Sequence, residues 1–559
     1  MKKIFVLLMA MMLLLSLLAG CKAASDPADA TTPSQDTTPT EAPNDSTTTE
    51  DPASSDVLRL RLYGVNDTNS GFRHAFSNYN YLHMFLLYET LLGYNDTDDE
   101  IVNVLAESYE MSPDGKTWTV ILKDTATFHD GEPVTAEDVA FSFAANIGCA
   151  GASSNQLASL KGYQAVVDGT ADRLEGIVVQ DEKTIVFEFE TPNYLFYETM
   201  YCNAFSIYPA HCFEGMDFAD IPNSDFWASP VGSGPYMIKE ANWPDYVLLT
   251  ARDDYHMGTP GIKEILMTNY TDDNAFEADT MAGLIHVASS VNQNSVDTVT
   301  AENPAMEPHY MDSGYTRYIA FNMSDTGRPE MRSAEVRKAI NMIIDKQMIV
   351  DYIGVQAAVA TNQSALFFNT DIPRWQRDVE GGKKLLEEAG FDFSVPLRLY
   401  TDYKDQQSID ILDIIVANLA EAGVTLEYVF GGDNAVAKIY EIKDWDMYYG
   451  GGMGIAITNY NTWSSGQLYD AWYNPADADY RYARYQQLFN DYRATADADA
   501  RQMIYDQIQM NAMEDMYIMG VWHRSTIWLV DEDLTGFTPW PTDYNTSVWR
   551  DVTQWSLAE

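Results

Sequence analysis

Apolar and polar positions along the chain alternate between two periods, and together they predict a mixed α/β body. Val57–Tyr63 (VLRLRLY) alternates apolar and basic side chains, as a half-buried strand does. Ser112-Pro113-Asp114-Gly115 predicts a turn, with a strand over Thr117–Leu122 after it. Thr135-Ala136-Glu137-Asp138 has the spacing of a capping box and opens a helix whose Val139 and Phe143 lie one turn apart. Ile177–Val179 and Thr184–Phe189 flank Asp181-Glu182-Lys183 and predict a hairpin. Val336, Ile340, Ile344 and Met348 recur every four residues behind Ser333, which predicts one long capped helix. Ile409–Ala422 predicts a helix stopped by Gly423, with a strand over Val424–Phe430 directly after it. No repeat of solenoid length occurs.

The N-terminus breaks this pattern. Met1-Lys2-Lys3 is basic, and Ile4–Leu18 is apolar apart from Ser16. That run falls short of the ~20 residues a membrane-spanning helix needs, so residues 1–20 read as an export signal. Leu18-Ala19-Gly20-Cys21 resembles a bacterial lipobox, which implies lipidation of Cys21 and cleavage before it. Residues 21–56 then read as a disordered linker: Lys22–Asp56 holds eight Thr, five Pro and eight acidic residues and no aromatic or large aliphatic side chain.

The 559 residues hold 83 Asp+Glu against 34 Lys+Arg, a net charge of -49. Setting aside the two N-terminal lysines and the net -7 of Lys22–Asp56 leaves -44 on residues 57–559, so the acidity belongs to the folded body. Such a surface repels phosphate backbones and argues against nucleic-acid binding. Beyond Cys21 there are three cysteines, Cys149, Cys202 and Cys212. Cys202 and Cys212 are close enough in sequence to bridge, though buried thiols explain them equally well. HExxH and GxSxG are absent, and the acidic clusters lack the glycine and spacing of a calcium loop. His129 in FHDGEP has no nucleophile and carboxylate set around it in sequence, so it reads as structural. No cofactor and no metal site are expected.

The order of motifs is more specific than their chemistry. YETLLGYN (88–95) precedes VLAESYEMSPDGKTWTVILKDTATFHDGEPVTAEDVAFSF (104–143), and PVGSGPY (230–236), YIAFN (318–322), EVRKAI (335–340) and KKLLEEAG (383–390) follow. This set resembles the family 5 extracellular solute-binding proteins of ABC importers, whose members bind oligopeptides, dipeptides or nickel. The resemblance covers residues 57 to 559. It implies an α/β fold of the periplasmic-binding-protein type II: two lobes joined by a two-strand hinge, with mixed β-sheets flanked by helices. Lobe one is expected over 57–315, with an inserted subdomain at about 90–228. Lobe two is expected over 316–520, and 521–559 return to lobe one. It also implies a non-enzymatic, monomeric receptor that binds a small-molecule or peptide solute and meets the transmembrane subunits of an ABC permease, held to the membrane by its lipid.

Peptide binders of this family hold the peptide ammonium with an Asp beyond a lobe-two strand that carries a Trp. The resemblance places that Trp near Gly452 and that Asp near Ile455, and this chain has neither residue there. No Asp or Glu occurs from Met447 to Tyr469, so another acidic group must serve or the ligand has no free amine at that place. The candidate ligand-binding residues are Tyr63, Asn66 and Asp67 after the first strand, Tyr318 and Asn322, and Gly450, Gly451, Gly452, Met453, Ile455, Tyr460 and Trp463. Glycine backbone beside aromatic faces suits a peptide and also a sugar ring, which keeps an oligosaccharide receptor as the alternative. An adhesin or chaperone-like module on the same fold is the alternative of a different class.

Overall fold

A computed structural model describes residues 57–62, 82–98, 100–149, 154–291, 293–353, 355–356, 368–372, 374, 376–432, 435–453, 468–540 and 549–558. The export signal, Cys21, the linker, and Tyr63, Asn66, Asp67, Ile455, Tyr460 and Trp463 lie outside them.

One 11-stranded sheet organises the body. Across it the strands run Leu426–Phe430, Leu397–Thr401, Met447–Met453, Met306–Phe321, Ile518–Asp531, Val287–Val291, Val57–Leu62, Glu264–Asn269, Tyr246–Ala251 and Tyr236–Asn242, with Val355–Gln356 paired to Ile518–Asp531 off this path. Met306–Phe321 and Ile518–Asp531 pair antiparallel over most of their length. Tyr315 lies inside the first of these long strands and Gly520 inside the second. Their ladder slips twice, between Asp312 and Thr316 and between Arg317 and Tyr318. Before the slips, Val287–Val291 joins the second long strand; Met447–Met453 pairs with residues 315–321 of the first, spanning the second slip.

Each half of the body has its own apolar core. Leu58, Leu60 and Leu62 of the first strand pack with Tyr236, Val247, Ile265 and Trp528. Ile319, Phe321, Val336, Ile340, Leu399, Ile415, Tyr449 and Trp522 form another cluster. A four-stranded antiparallel sheet (Ala106–Met111, Thr117–Leu122, Thr184–Glu188, Ile177–Val179) lies within the expected insertion.

Local signals behave as their chemistry requires. Thr135 and Asp138 close a capping box at the start of Ala136–Gly148, whose Val139 and Phe143 are fully buried. The hairpin forms as Ile177–Val179 against Thr184–Glu188. Gly423, at φ +84°, follows the helix Gln406–Glu421, and the next strand starts at Leu426 rather than Val424.

Two expectations change, the single helix behind Ser333 and its cap, and one open alternative is decided. The helix behind Ser333 is two helices, Ala334–Ile343 and Lys346–Ile353. Ile344 keeps the apolar spacing and stays buried, but its backbone is extended (φ -73°, ψ 127°). Asp345 then accepts the Met348 N–H at 3.0 Å and starts a new helix, and Met348 is exposed. Ser333 stands at the cap position without a side-chain cap bond. Cys202 and Cys212 are not joined in a disulfide.

Candidate functional site

His129 has a complete structural explanation. Its Nδ1 accepts the Gly232 N–H at 3.0 Å, and its Nε2 faces Gly234 O at 3.2 Å. The accepting Nδ1 leaves the proton on Nε2, and burial pulls the imidazole down to about 4, so the neutral ring ties the glycine-rich segment to its neighbour. The glycines are steric: a Cβ at Gly232 would run into Leu87 O, and one at Gly234 into Leu86 O.

Of the candidate ligand residues, those described, Tyr318, Asn322 and Gly450–Met453, lie on or just beyond two paired strands in the middle of the large sheet. Strand Met447–Met453 pairs with the first long strand so that Tyr315 faces Met453, Thr316 faces Gly452, Arg317 faces Gly451 and Tyr318 faces Gly450. On its other side, Arg317 pairs with Trp522 and Tyr318 with Gly520. Tyr318 thus has glycines on both flanks. A Cβ on Gly450 would lie 2.5 Å from Tyr448 and 2.9 Å from the Tyr318 ring, so the glycine lets these aromatics close over the strand.

The two faces of this ladder differ. Tyr318 enters an aromatic cluster with Tyr400, Trp445, Tyr448 and Trp472. Asn322 is fully buried, and its amide donates to Trp445 O at 2.8 Å and Lys443 O at 2.9 Å, which fixes the start of the neighbouring strand. Arg317 is on the opposite face. Its guanidinium carbon sits 3.5 Å from the Tyr403 ring centroid and 5.2 Å from that of Tyr315, and the two tyrosine hydroxyls are 2.7 Å apart. Trp522 donates to Tyr449 OH at 3.3 Å on that side.

Carboxylates near the site fall into two kinds. Asp446, fully buried, holds Arg398 through both oxygens (Nη2–Oδ1 2.8 Å, Nε–Oδ2 3.1 Å) and accepts the Arg328 and Arg398 backbone N–H groups. It is fully engaged. Asp402, just past the C-terminal end of Leu397–Thr401, has a buried Oδ1 with no well-formed hydrogen bond among the described residues. It lies beside Tyr400, whose hydroxyl burial pushes up to about 12, with the Asp402 charge adding to the effect.

Residues 100–474 match the family described as bacterial extracellular solute-binding proteins, family 5. The chain belongs to this family. It is a solute-binding protein rather than an enzyme, and no described helix is long and apolar enough to cross a membrane. A Brucella ovis protein named for peptide binding by an ABC transporter is 28% identical over 346 residues, 61% of this chain and 62% of that protein. The match therefore spans just under two thirds of the Brucella relative. The oligopeptide-binding protein AppA of Bacillus subtilis is 24% identical over 485 residues, covering 81% of this chain and 84% of its own. The solved structure of AppA, in complex with a nonapeptide, superposes with TM-score 0.70 at 21% identity over 90% of this chain and 99% of that one. The substrate-binding protein CtaP of Listeria monocytogenes gives TM-score 0.74 at 24% identity over the same shares. The fold is thus the periplasmic-binding-protein type II: two lobes joined by two long strands.

Sequence reasoning missed Arg317, Asp402 and Tyr403. Ligands of α/β sheets gather at the C-terminal ends of strands, as the candidates Tyr63, Asn66 and Asp67 do in sequence after the first strand. Applied to Leu397–Thr401, the same rule points to Asp402 and Tyr403.

Proposed function

We propose that this protein is the peptide receptor of an ABC importer, lipid-anchored through Cys21 on the outer face of the membrane. Peptide is bound between lobe one (57–315 with 521–559) and lobe two (316–520), and the closed form is what the permease recognises. The observation that carries this reading is the nonapeptide-bound AppA structure, whose fold covers 90% of this chain. The name of the Brucella relative supports the same solute class. Tyr318 and Gly450–Met453 form the lobe-two wall, Asn322 holds that wall in shape, and Tyr63, Asn66, Asp67, Ile455, Tyr460 and Trp463 complete the site. Asp402 supplies the acceptor for a ligand ammonium that Met447–Tyr469 lacks. Closure follows because ligand contacts to both lobes exist only in the closed form.

Thermal shift against a panel of synthetic peptides should raise the melting temperature further as peptide concentration grows, as mass action requires. No response to peptides with a clear response to oligosaccharides would replace peptide by sugar. For the anchor, Cys21→Ser expressed in a Gram-positive host should release the protein to the medium or leave the precursor uncut. Membrane retention with normal processing would remove the lipid from this account.

A further inference from the structure

Among the described residues Arg317 is a buried cation without an anion. It is 9% exposed, and its Nε and Nη1 are buried with no hydrogen-bond partner among those residues. Among the described residues no carboxylate pairs with it, and its charged or polar neighbours are Tyr403, Tyr315 and Tyr449. That absence is informative in a chain with 83 acidic residues. Other buried arginines here are provided for: Arg252 holds Thr127 O, Thr127 Oγ1 and Asp254, and Arg328 holds Glu330, Val395 O and Asp392 O. A guanidinium keeps its proton in a protein, so it has no neutral form to retreat to when desolvated. Stacking on Tyr403 offsets part of that cost and leaves Nε and Nη1 unused.

The surroundings share this bias. The pairing partner Gly451 leaves room at the guanidinium: a Cβ there would lie 2.5 Å from Nη1. Lys346 is also buried and places its Nζ 2.6 Å from Gly520 O, on the second long strand two residues from Trp522, the partner of Arg317. The buried carboxylate just before the neighbouring strand, Asp446, is already bound to Arg398.

We propose that Arg317 is the specificity residue that anchors a carboxylate of the bound ligand. The inference rests on the peptide-receptor reading above and deepens it, since it requires that the peptide present a carboxylate at the middle of the long strands. The planar fork of donors suits a carboxylate, and no internal ion pair has to break for one to dock. The carboxylate comes from the peptide C-terminus or from an acidic side chain.

The test uses three pools of synthetic nonapeptides on the purified wild-type protein, read by calorimetry: uncharged side chains as free acids, the same peptides as C-terminal amides, and amides carrying one Glu. Either the free acids or the Glu-bearing amides should bind at least tenfold tighter than the plain amides. Tight binding by the Glu-bearing amides without tight binding by the free acids assigns the anchor to a side-chain carboxylate; tight binding by the free acids assigns it to the C-terminus. In Arg317→Met the acid and amide pools should bind alike. Free acids, plain amides and Glu-bearing amides all within twofold of one another in the wild type overturn the carboxylate anchor and leave the peptide receptor standing. No binding by any pool overturns the peptide receptor, and the anchor falls with it. The wild-type comparison decides the matter even if the variant does not fold.

Discussion

Arg317 and Arg337 are both buried arginines of the half that holds Met447–Met453, yet their surroundings are opposites. Arg337, 2% exposed, donates from Nε, Nη1 and Nη2 to the carbonyls of Met331, Asp515 and Met516 at 2.5–3.2 Å. Arg317 lies under Tyr403 with Nε and Nη1 unbonded among the described residues. One guanidinium ties a corner of the chain together. The other is kept charged and buried with no carboxylate or carbonyl to hold among the described residues. Burial alone therefore does not tell structural cations from functional ones; the state of their donors does.

The difference should be largest in stability. Arg337→Met leaves three buried carbonyls without a donor, at about 1–3 kcal/mol each, so chemical denaturation should show a loss of about 3 kcal/mol or more. Arg317→Met removes an uncompensated charge, and an apolar replacement of similar length should leave stability within about 1 kcal/mol of the parent or raise it. Equal losses in the two variants would make Arg317 a structural residue and erase the contrast.

A smaller effect sharpens the comparison from the acidic side. Glu198 is buried among the charges of Arg493 and Arg501, and burial pushes its carboxyl up to about 7 despite them. Lys346 is moved the other way, down to about 7, by burial and by Arg374. Both can neutralise themselves near physiological pH, and Arg317 cannot. For Glu198 the folded state keeps a proton that the unfolded chain releases above pH 4.5. Its contribution to stability is thus fully present below about pH 4.5 and is lost as the pH rises through about 7. Glu198→Gln should flatten the fall in melting temperature across that window. A parallel slope in parent and variant would show that Glu198 titrates normally.

Much of the fold was legible because its signals are local. The Thr135–Asp138 box, the hairpin at Asp181-Glu182-Lys183 and the stop at Gly423 each lie within a few residues of what they determine. The single helix behind Ser333 failed for an instructive reason. Its apolar period runs unbroken through Ile344, but the backbone turns out where Asp345 can cap a second start. The candidate site was legible in part: YIAFN and the glycines after WDMYY do share a ladder. Arg317 was not, because in a strand a lone arginine beside apolar residues reads as the wet face. What dries it is Tyr403, 86 positions away and in a loop, and no pattern along the chain reports that contact.

The two slips in the long ladder bracket Thr316 and Arg317. A slip in register bends a strand and raises its local twist. Met447–Met453 keeps one register across both residues, so a molecule that grips Arg317 would hold that side of the sheet at the place where the second long strand bends.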